Sequence, residues 1–258
     1  MNNIFNLQRF IWLFNKHSKE TYKIYLANVV LLIGFLVGVM SYSACFEDFG
    51  VRTQEHIFWS FLISGGAIFC NVSAFVNLRD KNKAISTLTL PVSSFERFLV
   101  NWIYTFLIFQ LVLIVCFYAV DMTVLSVINR NSVFATPMID LTSSYIPPYD
   151  VFLCFSFLHA LYFLSAATYY NYDIVKGLLL LLGFVIALVL FNLGLAHLLI
   201  GGNATTHLPF TQISIREGLS DYDLEDGTLR RILATSIGWI STFLLWAAAY
   251  FKLKEKQI

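Results

Sequence analysis

The sequence predicts an all-α polytopic membrane protein, with six transmembrane helices behind an N-terminal interfacial helix, in one domain over residues 1–258. Three observations predict it. The chain is 58% hydrophobic and 13% charged, against roughly 45–50% apolar and roughly 25% charged residues in soluble domains. Its apolar residues fall into charge-free runs of about the 20 residues that a helix needs to cross a bilayer. Its Lys and Arg residues collect in alternate connecting segments. This composition excludes an ordinary cytosolic enzyme. The 25 Phe and 13 Tyr also exclude a disordered chain, because so much apolar surface more than offsets the entropy of ordering it.

The interfacial helix is expected over residues 3–19. Ile4, Leu7, Ile11 and Phe14 repeat at helical spacing, and Asn2, Asn6, Arg9 and Lys16 fall mainly on the other side. Phe5, Phe10, Trp12 and Leu13 widen the apolar face, and the basic stretch that follows would attract anionic lipid. The six runs are 24–40, 57–76, 98–120, 151–169, 177–200 and 232–251. The first starts late and lacks a small-residue cleavage site, so it reads as a retained helix and not as a secretory signal. The fifth is the most apolar and is expected to face the most lipid or to sit deepest in the bundle.

Charge sets the orientation. With the N-terminus inside, Arg9, Lys16, Lys19, Lys23, Arg79, Lys81, Lys83, Arg97, Lys176, Lys252, Lys254 and Lys256 are cytoplasmic, 12 of the 17 basic residues. Arg52, Arg130, Arg216, Arg230 and Arg231 are outside, together with most acids, Asp121 among them. An even number of spans puts both termini in the cytoplasm of a cell whose inner (plasma) membrane holds the chain. The fourth and fifth spans are joined by a tight hairpin near 171–176. The outer segment 122–149 is rich in Ser, Thr, Asn and Pro, and Pro147 with Pro148 stiffens the approach to the fourth span.

Several kinds of chemistry find no support. Cys70, Cys116 and Cys154 fall inside apolar runs and read as small buried hydrophobes, and Cys45 lies near a boundary. No pair has zinc-ligand spacing, so no metal site is expected. The acidic stretch from Asp221 to Gly227 resembles a calcium loop, but it has Asp226 where the sharp turn needs Gly and Ile232 where a bidentate Glu is needed. Asn203-Ala204-Thr205 fits a glycosylation acceptor, which matters only in a secretory compartment. The runs hold no Asp, Glu, Lys or Arg; only His159 and His197 are ionisable in this sense, and both read as hydrogen-bonded packing residues. Catalytic residues, cofactors and nucleic-acid partners are therefore not expected, and no phosphate-binding loop marks the chain as an ATPase. Gly34-x-x-x-Gly38 and the Ser64–Ala67 stretch suit close helix packing, within the bundle or in a dimer.

The loop 77–97 is the most informative segment. Its basic stretch leads into Ala84-Ile85-Ser86-Thr87-Leu88, about one helical turn with Ile85 and Leu88 on one side, and Pro91 pushes Leu90 towards an extended conformation. Ser93-Ser94-Phe95-Glu96 supplies a capping box for the third span. A short helix, a proline stop and a cap would carry force from a partner into two spans.

The stretches from Arg79 to Ala84, Leu88 to Ser93 and Glu96 to Leu99 resemble a segment of bacterial ABC transporter permeases of the type-2 exporter class. In that family the segment follows the second of six spans and forms a coupling helix that docks on a separate ATP-binding subunit. The resemblance is specific over about 25 residues and looser over the rest of the layout. It implies that Lys83, Ala84, Ile85, Thr87, Leu88, Leu90 and Pro91 form the ATPase-coupling loop, with Ser93 and Glu96 as the helix cap. It also implies a second permease copy or a related permease as partner, in the lipid bilayer. The function expected is a permease subunit of an ATP-driven exporter, with hydrolysis in the partner chain. The competing readings are a noncatalytic scaffold or immunity factor that binds another cytoplasmic partner through the same loop, and an intramembrane enzyme using His159 or His197.

Overall fold

A computed structural model describes residues 5–46, 49–75, 92–131, 135–141, 147–168, 214–217, 220–223 and 228–255, with helical positions 183, 186–187, 189–191 and 193–194. Helix α1 runs Leu7–Phe46 and α2 runs Val51–Ser73. Helix α3, Ser94–Trp102, passes through a π-helical turn, Ile103–Ile108, straight into α4, Phe109–Asn131. Helix α5 is Pro148–Thr168 and α6 is Thr228–Glu255. Ahead of α6, β1 (Ser214–Glu217) and β2 (Ser220–Asp223) pair antiparallel, with Ser214 opposite Asp223 and Glu217 opposite Ser220. The all-α expectation thus gains a short ribbon in a segment that read only as an acidic loop.

Among the described residues, four stretches are long and apolar enough to cross a membrane: Leu7–Phe46, Ser94–Arg130, Pro148–Thr168 and Thr235–Glu255. Helix α2 covers most of the second apolar run. Most of the fifth run lies outside the described residues, as do the hairpin near 171–176 and His197.

Three boundaries differ from the sequence reading. No break separates residues 7–19 from the first run: α1 starts at Leu7 and is one helix of 40 residues, about 60 Å long at about 1.5 Å per residue. No Gly or Pro interrupts it before Gly34, and Lys16 pairs with Glu20 one turn on at 3.6 Å. The change from amphipathic to apolar sequence alters what surrounds the helix and not its backbone. The third run likewise lies inside a longer helix. Asp121, which follows the third run directly, is a fully buried residue of α4, whose helical hydrogen bonding continues to Asn131. Cys154 is exposed, whereas Cys70 and Cys116 are buried as expected of small hydrophobes.

Helices α5 and α6 pack against each other most extensively, α2 lies against α5, and α1 lies along α4. Gly66 and Gly238 permit the close approaches: a Cβ would come 2.4 Å from the Phe155 ring at Gly66 and 2.8 Å from the Leu153 side chain at Gly238. Phe58, Leu62, Phe106, Phe109, Leu113, Phe117 and Phe155 form the larger core, and Cys70, Phe75, Phe163, Ala167 and Leu253 a second one nearer the α3 N-terminus. The outward faces are just as apolar, with Leu26, Val30 and Phe35 of α1, Leu111 and Val115 of α4, and Ile240, Phe243 and Leu244 of α6 all exposed. A surface like this suits lipid, since exposed apolar patches of this extent are rare on soluble monomers.

Candidate functional site

Helices α1 and α3 begin at the same end of the bundle, and both begin on Glu96. The Ser93 side chain accepts from the Glu96 backbone N–H at 3.1 Å, and Glu96 Oε2 accepts from the Ser93 N–H at 3.1 Å, a reciprocal capping box. The other carboxylate oxygen, Oε1, accepts from the backbone N–H of Asn6 at 2.8 Å and from Arg9 Nη2 at 3.2 Å. Asn6 is itself the cap of α1, its Oδ1 accepting from the Gln8 N–H at 3.0 Å. An N3 glutamate would normally take the cap N–H, but that position in α1 is Arg9, so Glu96 of another helix takes it instead. One buried carboxylate therefore closes two helix N-termini, where the aligned peptide dipoles also favour negative charge.

An aromatic collar surrounds this junction. Phe95 lies edge-on to Phe5 and Tyr250, and Phe98 lies edge-on to Tyr250 and Phe163, with ring centroids 5.3–6.4 Å apart. The start of α1 is thereby tied to the ends of α5 and α6 as well as to α3.

The other edge of the segment 76–91 is held as firmly. Helix α2 ends at Ser73 with Ala74 as its C-cap, and the next residue, Phe75, has φ +52°, a conformation that costs a bulky residue on the order of 1–3 kcal/mol. Two contacts hold it there. Its N–H donates to Asn101 Oδ1 at 3.1 Å, and its buried ring packs on Phe163 with centroids 4.9 Å apart. Asn101 Nδ2 donates in turn to the Arg97 carbonyl at 2.9 Å, so the residue just past the C-cap of α2 is fixed to the second turn of α3.

From Asn101 a hydrogen-bonded chain runs into the bundle. Thr105, within the π-helical turn, donates its hydroxyl to the Asn101 carbonyl at 2.9 Å, and its oxygen lies 2.9 Å from His159 Nε2. Trp246 Nε1 donates to His159 Nδ1 at 3.3 Å. Because an indole N–H is a donor only, Nδ1 is the accepting nitrogen and Nε2 carries the proton donated to Thr105. Both histidine nitrogens are engaged, in keeping with a packing role. Four elements meet there: α3, the π turn, α5 and α6.

The sequence-derived residues Lys83, Ala84, Ile85, Thr87, Leu88, Leu90 and Pro91 lie outside the described residues. Ser93 and Glu96 are brought together, and with them Asn6, Arg9, Phe75, Asn101, Thr105 and Trp246, which the sequence reading did not single out. A cap residue, Asn6, followed by Arg9 where a glutamate would complete its own box is a signal that an acceptor comes from elsewhere. Nothing local marks Phe75 or Trp246. Among the described residues no group of three or more His, Cys, Asp or Glu side chains is placed to hold a metal ion. The arrangement is mechanical: it fixes both ends of one connecting segment and joins them to four helices. Its long apolar helices are compatible with a multi-pass membrane protein. No family model, curated protein or solved structure matches the chain.

Proposed function

We propose that the chain is the membrane-spanning permease subunit of an ATP-driven exporter of the type-2 ABC class, powered by a separate ATP-binding subunit. In this reading the six apolar runs cross the inner (plasma) membrane and both termini are cytoplasmic. Residues 83–90 dock on the ATPase, and the permease works as a pair. No bond is made or broken in this chain.

The observation that carries the reading is the pinning of segment 76–91 at both ends. A push on that segment reaches α1 through Glu96 and reaches α5 and α6 through Asn101, Thr105 and His159. A mere connector between two helices has no need of a buried carboxylate shared with a third helix, nor of a strained phenylalanine at its edge. The sequence resemblance supplies the partner that would push.

Purification of the tagged chain in mild detergent tests this. An ATP-binding chain is expected to copurify, and Leu88→Asp is expected to release it and abolish transport while the protein stays folded. Reproducible absence of an ATP-binding chain would overturn the proposal in favour of a noncatalytic scaffold or immunity factor. Survival of both association and transport in Leu88→Asp would overturn the docking assignment.

A further inference from the structure

At the end of the bundle remote from Glu96, residues 135–141 fold back on α2 and α4 as a strap without helix or strand. Asn129 Nδ2 donates to the Thr136 carbonyl at 3.0 Å, and Asn129 Oδ1 accepts from the Thr136 N–H at 2.8 Å. Gln54 Nε2 donates to the Pro137 carbonyl at 3.2 Å, and Tyr118 Oη donates to the Ile139 carbonyl at 3.4 Å. The Ile139 side chain is buried in the core that holds Phe117 and Leu125.

Asp121 lies against this strap. It is fully buried, and neither carboxylate oxygen has a hydrogen-bond partner among the described residues. The backbone N–H of Ile139 is turned towards it without reaching hydrogen-bond geometry. Gln54 is fully buried as well. Because a carbonyl only accepts, Nε2 is the atom that meets Pro137, which leaves Oε1 as another buried acceptor with no donor among the described residues. Gln54 stands one turn from Phe58, and Asp121 one turn from Phe117. Those two rings meet at 5.0 Å between antiparallel helices, so Gln54 and Asp121 occupy one level of the bundle. That level has acceptors in excess, and a proton on Asp121 adds the donor it lacks.

The surrounding charges point the same way. The titratable groups on the neighbouring elements are Glu55, buried on α2, Tyr118 on α4, Asp140 on the strap and Asp150 at the start of α5. The cations Arg52 and Arg130 are exposed, as is His56, and none pairs with Asp121. Helix α1 carries no Asp, Glu, Lys or Arg between Lys23 and Phe46, and its Tyr42 and Cys45 are exposed. An ionised carboxylate buried without a partner is far costlier than a neutral one. Water reaches it most easily if the strap lifts, since a short irregular segment gives up fewer contacts than a helix.

We propose that Asp121 is a proton-binding site and that loss of its proton releases the strap, so that this end of the bundle opens as pH rises. The closed strap holds a proton that the open form gives up above the ordinary carboxylate range of about 4, so closure is favoured at low pH and lost as pH rises. The proposal does not depend on the ATPase partner.

Hydrogen exchange of the full chain in mild detergent tests it, read by mass spectrometry between pH 5 and pH 8 and corrected for the intrinsic pH dependence of exchange. Protection of residues 138–141 is expected to fall by about tenfold or more in all, with a slope of at most about tenfold per pH unit for one coupled proton, while α5 stays protected. Asp121→Asn, a neutral isostere, should keep the strap protected throughout. Glu55→Gln and Asp140→Asn should leave the fall in place. Constant protection in the wild type, or an equal fall in Asp121→Asn, would overturn the proposal. If Asp121→Asn loses the protection of α5 and so fails to fold, the other two variants decide: a fall abolished in either assigns the proton to that acid and not to Asp121, and a fall kept in both supports Asp121.

Discussion

The backbone N–H of Asn6 donates to the Glu96 carboxylate at 2.8 Å across 90 residues of sequence. The consequence is that α1 and α3 share one N-terminal acceptor, and neither helix starts independently of the other.

Removal of that acceptor is expected to cost more than an ordinary cap. Each N-cap interaction is worth about 1 kcal/mol. Glu96→Ala deprives two caps and strips Arg9 of its partner, so a loss of about 2–3 kcal/mol is expected, and Glu96→Gln, which keeps one accepting oxygen, should lose about half of that. Reversible unfolding of the detergent-solubilised chain measures both. A double-mutant cycle between Arg9→Ala and Glu96→Gln should return a coupling of about 0.5–3 kcal/mol, the range for contacting residues. A coupling near zero would show that the Arg9 contact contributes nothing.

At Phe75 the backbone and the side chain pull in opposite directions. The positive φ favours glycine, and the ring is needed against Phe163. Both Phe75→Ala and Phe75→Gly should be destabilising, by about 3–5 kcal/mol at the alanine. The glycine variant should recover about 1 kcal/mol relative to alanine, because it alone adopts the left-handed conformation without strain. An alanine variant as stable as the glycine one would mean that the turn relaxes once the ring is gone. Chemical denaturation of the two variants side by side distinguishes these outcomes.

How much of this was legible follows from the range of each interaction. Ser93 and Glu96 are readable from sequence because the box closes within three residues. Glu96 with Asn6, and His159 with Trp246, are not, because the partners lie on different helices and periodicity says nothing about which donor meets which acceptor. The apolar runs are visible for the same local reason, but their limits are not. Leu7–Phe46 and Ser94–Asn131 continue as helix through polar stretches that no Gly or Pro interrupts, so a boundary set by hydropathy falls short of the boundary set by the backbone. Asp121 falls in that difference: it follows the apolar run but lies within the helix. The π-helical turn has no sequence mark at all; Tyr104 and Thr105 within it face two different clusters, Tyr104 stacking on Tyr25 of α1 and Thr105 meeting His159 of α5. An extra residue in the turn lets adjacent side chains serve both.

Thr105 separates shape from hydrogen bonding. Thr105→Val keeps the volume of the side chain but leaves the His159 Nε2–H without its acceptor in a buried site, for which a loss of about 1–3 kcal/mol is expected. Thr105→Ser keeps the hydroxyl and should lose less than half as much. If the link between segment 76–91 and the bundle passes through this hydroxyl, transport should fall in the valine variant at a temperature where both variants remain folded, and should be retained in the serine variant. Equal transport in the two would leave Thr105 a purely structural contact.

The glycines divide by what surrounds them. Nothing lies within 4 Å of a Cβ at Gly34 or Gly38, the nearest atom is 3.4 Å away at Gly65, and at Gly66 the Phe155 ring is 2.4 Å away. Phe155 is boxed in by Phe106, Phe109 and Phe152 and has no room to swing aside. Gly66→Ala should therefore destabilise by about 1–3 kcal/mol, the usual cost of overpacking. Gly34→Ala, on an open helix face, should stabilise the isolated chain by up to about 1 kcal/mol through helix propensity alone. The same face distinguishes a single chain from a pair. If Gly34 and Gly38 pack against a second permease, Gly34→Leu should lower the dimer fraction in cross-linking without destabilising the monomer, because close approach of two backbones needs the missing side chain. A dimer fraction equal to wild type would assign the permease contact to some other face of the bundle.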